Sequence, residues 1–162
     1  NYERRLAGAQ ADRYTGWRAG VIRGEVHDQN AWVLGGVAGN AGLFSTARET
    51  AMIAMEYLGE RAAAKGLLGD EAIRLAQQDQ TPGLNEARTF AFRIASRGET
   101  AAGPALPPEA FGHNGFTGTS VWIDSQRLRV YVLLTNRVHP VATDSVDMLA
   151  LRRRFHSLAA RV

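Results

Sequence analysis

Residues 111–135 read FGHNGFTGTSVWIDSQRLRVYVLLT, and the period of their apolar positions decides the fold. Thr119 to Asp124 and Leu128 to Thr135 are rich in Val, Ile, Trp, Tyr and Thr, side chains that suit a pleated surface. Ser125-Gln126-Arg127 separates the two runs, which therefore read as an antiparallel hairpin. Phe111 to Phe116 reads as a third strand ahead of them, completing a meander. Beyond Pro140, the residues Met148, Leu151, Phe155 and Leu158 recur at helical spacing. They predict an amphipathic helix over residues 143–160, packed on the sheet.

Upstream, the period is helical. Thr46 and Glu49 have capping-box spacing, and Ala51, Met55 and Leu58 continue as an apolar stripe to Gly59, predicting a helix over 46–58. A second helix is expected from an N-cap at Asp70 through Ile73 and Ala76 to about Gln78, before Thr81-Pro82-Gly83 stops it. Residues 97–109 are loop by composition. Residues 34–44, LGGVAGNAGLF, carry glycine at 35, 36, 39 and 42 and predict tight turns with close backbone approach. Residues 1–30, with Tyr14, Trp17, Val21, Ile22 and Val26 as scattered anchors, read as an irregular arm.

Helices, then a meander, then a helix place the chain in the α+β class. The expected organisation is one partial domain over 1–162: an arm and Gly-rich loop (1–45), a helical region (46–110), and a three-stranded antiparallel meander with its C-terminal helix (111–162). Such a sheet has edges that need pairing or covering. A longer parent, or self-association through an exposed sheet edge, would supply that.

The 162 residues, 45% of them hydrophobic, are enough for one domain with its own core. Cysteine is absent, which excludes disulfides and thiolate metal sites. The formal charge of +3 raises nucleic acid as a partner, but the arginines are dispersed among acids and Lys65 is the only lysine. The single run, Arg152-Arg153-Arg154, reads as a solvated helix face. With no RNP, zinc-finger or Walker pattern, no nucleic-acid partner is expected. No stretch approaches the roughly 18 apolar residues of a membrane span. Asn1-Tyr2-Glu3-Arg4-Arg5 has neither an initiator Met nor a signal-type apolar segment, and reads as a point inside a longer product. His27, His113, His139 and His156 lack metal-ligand spacing, so no metal is expected. Gly36-x-x-Gly39-x-x-Gly42 is not the dinucleotide fingerprint, and no Gly-x-Ser-x-Gly elbow occurs, so no cofactor is expected.

Chemistry concentrates at His113-Asn114-Gly115-Phe116-Thr117-Gly118-Thr119-Ser120, which puts an imidazole, an amide, two glycines and three hydroxyls at the lip of a strand. Glycines there let a substrate approach main-chain N–H donors, as an oxyanion hole requires. A Gly-rich strand entry with a surface histidine would have the same sequence. His27-Asp28 with Asn30 reads either as an oriented imidazole beside a ligand-binding amide, or as a turn whose side chains satisfy their own backbone.

Four separated segments, in order, carry a resemblance: Gly24 to Asp28, Gly35 to Ser45, Phe111 to Ser120, and Leu134 to Pro140. Together they resemble the C-terminal half of class C β-lactamase-like proteins, nearest to penicillin-binding D-alanyl-D-alanine carboxypeptidases and related esterases. The resemblance covers roughly residues 15–160. It implies the C-terminal part of a β-lactamase/transpeptidase-like fold, an antiparallel sheet flanked by helices. It also implies a β-lactam, peptidoglycan-peptide or ester substrate, and a periplasmic or other extracytoplasmic location. In that family Ser-x-x-Lys supplies the nucleophile and its activating amine, Tyr-x-Asn a second base, and Lys-Thr-Gly or His-x-Gly a strand lining the site. His113-Asn114-Gly115 matches the last. The match gives His113 a positive or hydrogen-bonding role, Gly115 clearance, and the Phe116 N–H one oxyanion donor, with Asn114, Thr117, His27, Asp28 and Asn30 as substrate-binding candidates.

The other two elements are missing. Ala62 stands three residues before Lys65, so no Ser-x-x-Lys exists. Tyr2, Tyr14, Tyr57 and Tyr131 are followed two positions later by Arg4, Gly16, Gly59 and Leu133, so no Tyr-x-Asn exists either. Without nucleophile and base the chain alone is expected to be inactive. Three readings follow: a piece of a serine hydrolase, a binding or assembly module completed by another chain or by itself, and a basic nucleic-acid- or membrane-surface-binding protein.

Overall fold

In a computed structural model, residues 21–62, 66–139 and 146–162 are described. Expectations for residues 1–20, and for the start of the last helix before residue 146, lie outside them. The sequence predicts one partial domain over residues 1–162. The backbone groups into two compact units, one of residues 1–45 with 136–144, the other of residues 46–135 with 145–162.

In the first unit the irregular arm gives way to a short helix, α1 (Gln29–Val33), where none was expected. Asp28 caps it by accepting from the Ala31 N–H at 2.9 Å. The Gly-rich loop then doubles back, with Ala38 bridging Ala41. Gly42 sits at φ 115°, and a Cβ there would strike the Gly36 carbonyl, so the close approach read from the glycines is real.

The second unit starts as its capping box predicts. In α2 (Ala47–Met55) the Thr46 side chain accepts from the Glu49 N–H at 3.2 Å, and the Glu49 carboxylate accepts from the Thr46 N–H at 3.0 Å. The expected helix to residue 58 continues only as 3₁₀ turns over Glu56–Ala62, interrupted by Gly59 at φ 68°. Helix α3 (Asp70–Gln77) begins one residue off the prediction: Gly69 is the N-cap, and Asp70 stands in the first turn.

Among the described residues the sheet has four antiparallel strands rather than three, in the order β1 (Arg93–Ile94), β2 (Phe111–Asn114), β3 (Ser120–Asp124), β4 (Arg129–Leu133). The added edge strand is two residues long, too short for any period to register. The predicted strand from Leu128 starts at Arg129 because Leu128 is left-handed at φ 55°, closing a turn that Asp124 organises. The Asp124 carboxylate accepts from the Gln126 and Arg127 N–H groups, each at 3.0 Å, and pairs with the Arg127 guanidinium at 2.8 Å. The first predicted strand stops at Asn114, where the chain turns at Gly115.

Register fixes the two faces. Phe111 pairs with Ile123, and Ile123 with Val130, so these share one face. There they pack with Ala54, Leu58, Ala87 and Ile94. Trp122 and its partner Tyr131 point to the other face, into a second cluster with Ala101, Ala102, Leu106 and Ala110. Both faces of β3 are therefore covered, and burial of a side chain the size of Phe111 or Ile123 contributes about 2 kcal/mol. The second face also carries the last helix, α4 (Met148–Ala159), N-capped by Asp147.

Helix α4 corrects the sequence reading twice. The expected packing stripe Met148, Leu151, Phe155, Leu158 is not the buried face, since Leu151 is 38% and Leu158 52% exposed. Arg152 and His156, one turn apart, are the buried residues. Arg152 is thus no part of a solvated arginine face, although Arg153 and Arg154 are exposed.

Candidate active site

Strand β2 ends in His113-Asn114, and the chain reverses over Gly115-Phe116-Thr117-Gly118 before entering β3. The Gly118 N–H donates to the Gly115 carbonyl at 3.1 Å, which makes residues 115–118 a β-turn. The Gly115 N–H donates to the Thr119 carbonyl at 2.8 Å and carries the ladder up to the turn. His113 is exposed and lies on the Phe111 side of the sheet; Asn114, opposite Ser120, lies on the α4 side. Phe116, the first central residue of the turn, is 52% exposed. His113, Asn114, Gly115, Phe116 and Thr117 therefore form one continuous strand-end and turn.

The glycines are needed for the protein's own packing. A Cβ on Gly115 would meet Thr119 Oγ1, and one on Gly118, at φ 111°, would meet Thr135 Oγ1. The clearance assigned to Gly115 is thus used first to let the turn close on itself.

Two elements on the α4 side hold this turn, and sequence reading missed both. Arg152 Nη2 donates to the Gly115 carbonyl at 2.7 Å and Nε to the Gly118 carbonyl at 3.1 Å. One helical turn later, His156 Nε2 and Ser120 Oγ lie 2.9 Å apart, both side chains buried. Burial, and secondarily the charge of Arg152, push His156 down to about 4, so at neutral pH the ring is uncharged. The pair has the separation of a serine and its base, but Ser120 is only 4% exposed and gives a substrate no access. It fastens β3 to α4. The 152/156 spacing was visible in the sequence, but an arginine run reads as solvent-facing until the helix has a neighbour.

In the first unit, Asp28 is engaged as the α1 cap and also accepts from Asn40 Nδ2 at 3.2 Å. The Ala31 N–H, followed by Asn40, holds its carboxyl below the usual range. Asp28 therefore follows the reading in which the cluster satisfies its own backbone. His27 precedes this cap and Asn30 lies in the first turn of α1. Among the described residues no group of three or more His, Asp and Glu side chains could hold a metal ion. No described helix is long and apolar enough to cross a membrane.

The sequence profile of one protein family, Beta-lactamase, matches residues 3–153 of this chain. The chain belongs to the β-lactamase family. Two similar proteins, from Salmonella paratyphi B and Salmonella newport and each named "Putative D-alanyl-D-alanine carboxypeptidase", are 32% identical over 136 residues. The match takes in 80% of this chain and 31% of each relative, so the chain spans about a third of their length. The crystal structure of a β-lactamase from Mycobacterium bovis superposes with a TM-score of 0.61 at 22% identity, over 75% of this chain and 45% of that one. That likeness confirms the fold of the family: an antiparallel sheet flanked by helices.

Proposed function

We propose that this chain is the C-terminal part of a serine hydrolase that opens β-lactam, D-Ala-D-Ala peptide or ester bonds through an acyl-enzyme. The supporting observation is the β-turn at Gly115–Gly118, which follows His113 at the end of β2. In this reading the Phe116 N–H is one oxyanion donor and His113 supplies a hydrogen-bonding or positive group beside it. Asn114 and Thr117 contact the substrate. The nucleophilic serine, its lysine and the Tyr-x-Asn base come from residues outside these 162. The chain alone has half an oxyanion hole and no activated nucleophile, so it does not turn over.

The test is intact-mass labelling with a fluorescent penicillin or a fluorophosphonate, on this chain and on a version extended upstream through the expected Ser-x-x-Lys. An adduct on the extended version alone supports the reading. An adduct on a specific serine of the 162-residue chain refutes it. No adduct on either, with assembly that dissociates on dilution, favours a module that self-associates through a sheet edge.

A further inference from the structure

We infer that Arg152 is a positioning residue for the oxyanion hole: from α4, behind the sheet, it sets the plane of the Gly115–Phe116 peptide. The inference rests on the proposed role of the Phe116 N–H and adds what orients it.

A peptide unit is planar and trans, so its C=O and N–H point in opposite directions. The Gly115 carbonyl and the Phe116 N–H belong to the same unit. Arg152 Nη2, 2.7 Å from that carbonyl, draws the oxygen toward α4 and so directs the N–H away from the helix. Nε holds the carbonyl at the other end of the turn, Gly118, at 3.1 Å. A guanidinium is a rigid fork, so two bonds from one planar group restrain both ends of the turn together. The Gly115 carbonyl also accepts the Gly118 N–H, and its peptide has little freedom left to rotate.

The arginine is itself fixed. It is 9% exposed, and His156, one turn along the same helix face, is bonded to Ser120 at the start of β3. The helix is thereby pinned to the strand that leaves the turn. A positive charge on a carbonyl also polarises its peptide, making the N–H a stronger donor to a developing oxyanion. A buried arginine placed only for stability would satisfy any nearby acceptors. Here Arg152 bonds the carbonyls at the two ends of one turn.

The experiment uses the extended, label-competent protein and compares Arg152→Ala, Arg152→Lys and Leu58→Ala. The last is a core change on the opposite face of the sheet, serving as a stability control at similar loss of Tm. An oxyanion donor acts in the transition state, so Arg152→Ala should lower kcat by about 100-fold with KM nearly unchanged. Arg152→Lys, which keeps the charge but not the fork, should recover part of that loss. Leu58→Ala should keep its kcat at temperatures where it is folded. Unchanged kcat in Arg152→Ala overturns the inference while leaving the functional reading intact, and so does an equal loss of kcat in Leu58→Ala. An extended wild-type protein that takes no label overturns the functional reading, and this inference with it.

Discussion

Acidification from pH 7 to pH 5 should weaken the fold through one side chain, His156. In the unfolded chain this imidazole titrates near 6.5, whereas in the fold burial depresses it to about 4. Between those values the unfolded state binds the proton and the folded state does not, so stability rises with pH across the window and is lost on acidification. The full effect, reached below pH 4, is about 3 kcal/mol. About 2 kcal/mol of it falls between pH 7 and pH 5, above the range in which carboxylates titrate. Proton uptake would also set an imidazolium beside Arg152 and require His156 Nε2 to donate to Ser120. The assay is urea unfolding of the chain at half-unit pH intervals, followed by tryptophan fluorescence, with His156→Gln as the comparison. Glutamine keeps a polar group near Ser120 and removes the titration. Wild-type stability should slope upward with pH between 5 and 7, and the variant should be flatter by about 2 kcal/mol across that range. A wild-type curve without slope there, or a variant retaining the slope, would refute the assignment of His156 as a buried neutral base.

Gly112→Ala should destabilise the second unit by about 3 kcal/mol, because the added methyl falls on the Val121 carbonyl and 2.7 Å from Trp122 Cδ2 in a core with no room to move; thermal unfolding checks it, and a shift within error would refute it. Thr46→Ala removes the α2 cap and should cost about 1 kcal/mol, read by the same melt, with Thr46→Ser restoring most of it. His113→Ala, at an exposed strand end, should leave Tm unchanged in the extended protein but slow its labelling by penicillin by about 10- to 100-fold; equal labelling rates would remove His113 from the proposed site.

Local sequence determined much of this protein. The capping box at Thr46 and Glu49, the β-rich runs on either side of Ser125-Gln126-Arg127, and the Gly-rich loop folding onto itself at Gly42 each depend on neighbours within a few residues. His113-Asn114-Gly115 could likewise be picked out and assigned to a strand end from sequence and resemblance. What escaped depended on partners far along the chain. The edge strand Arg93–Ile94 exists only because Phe111 and Gly112 offer it a ladder. Which face of α4 is buried was misjudged because the apolar stripe through Leu151 and Leu158 carries the stronger hydrophobic signal. The core instead accepts Arg152 and His156, whose polar atoms find the Gly115 and Gly118 carbonyls and the Ser120 hydroxyl more than thirty residues upstream. Periodicity reports how apolar a face is. Whether a polar face can be buried depends on acceptors that only the tertiary structure brings within hydrogen-bonding distance.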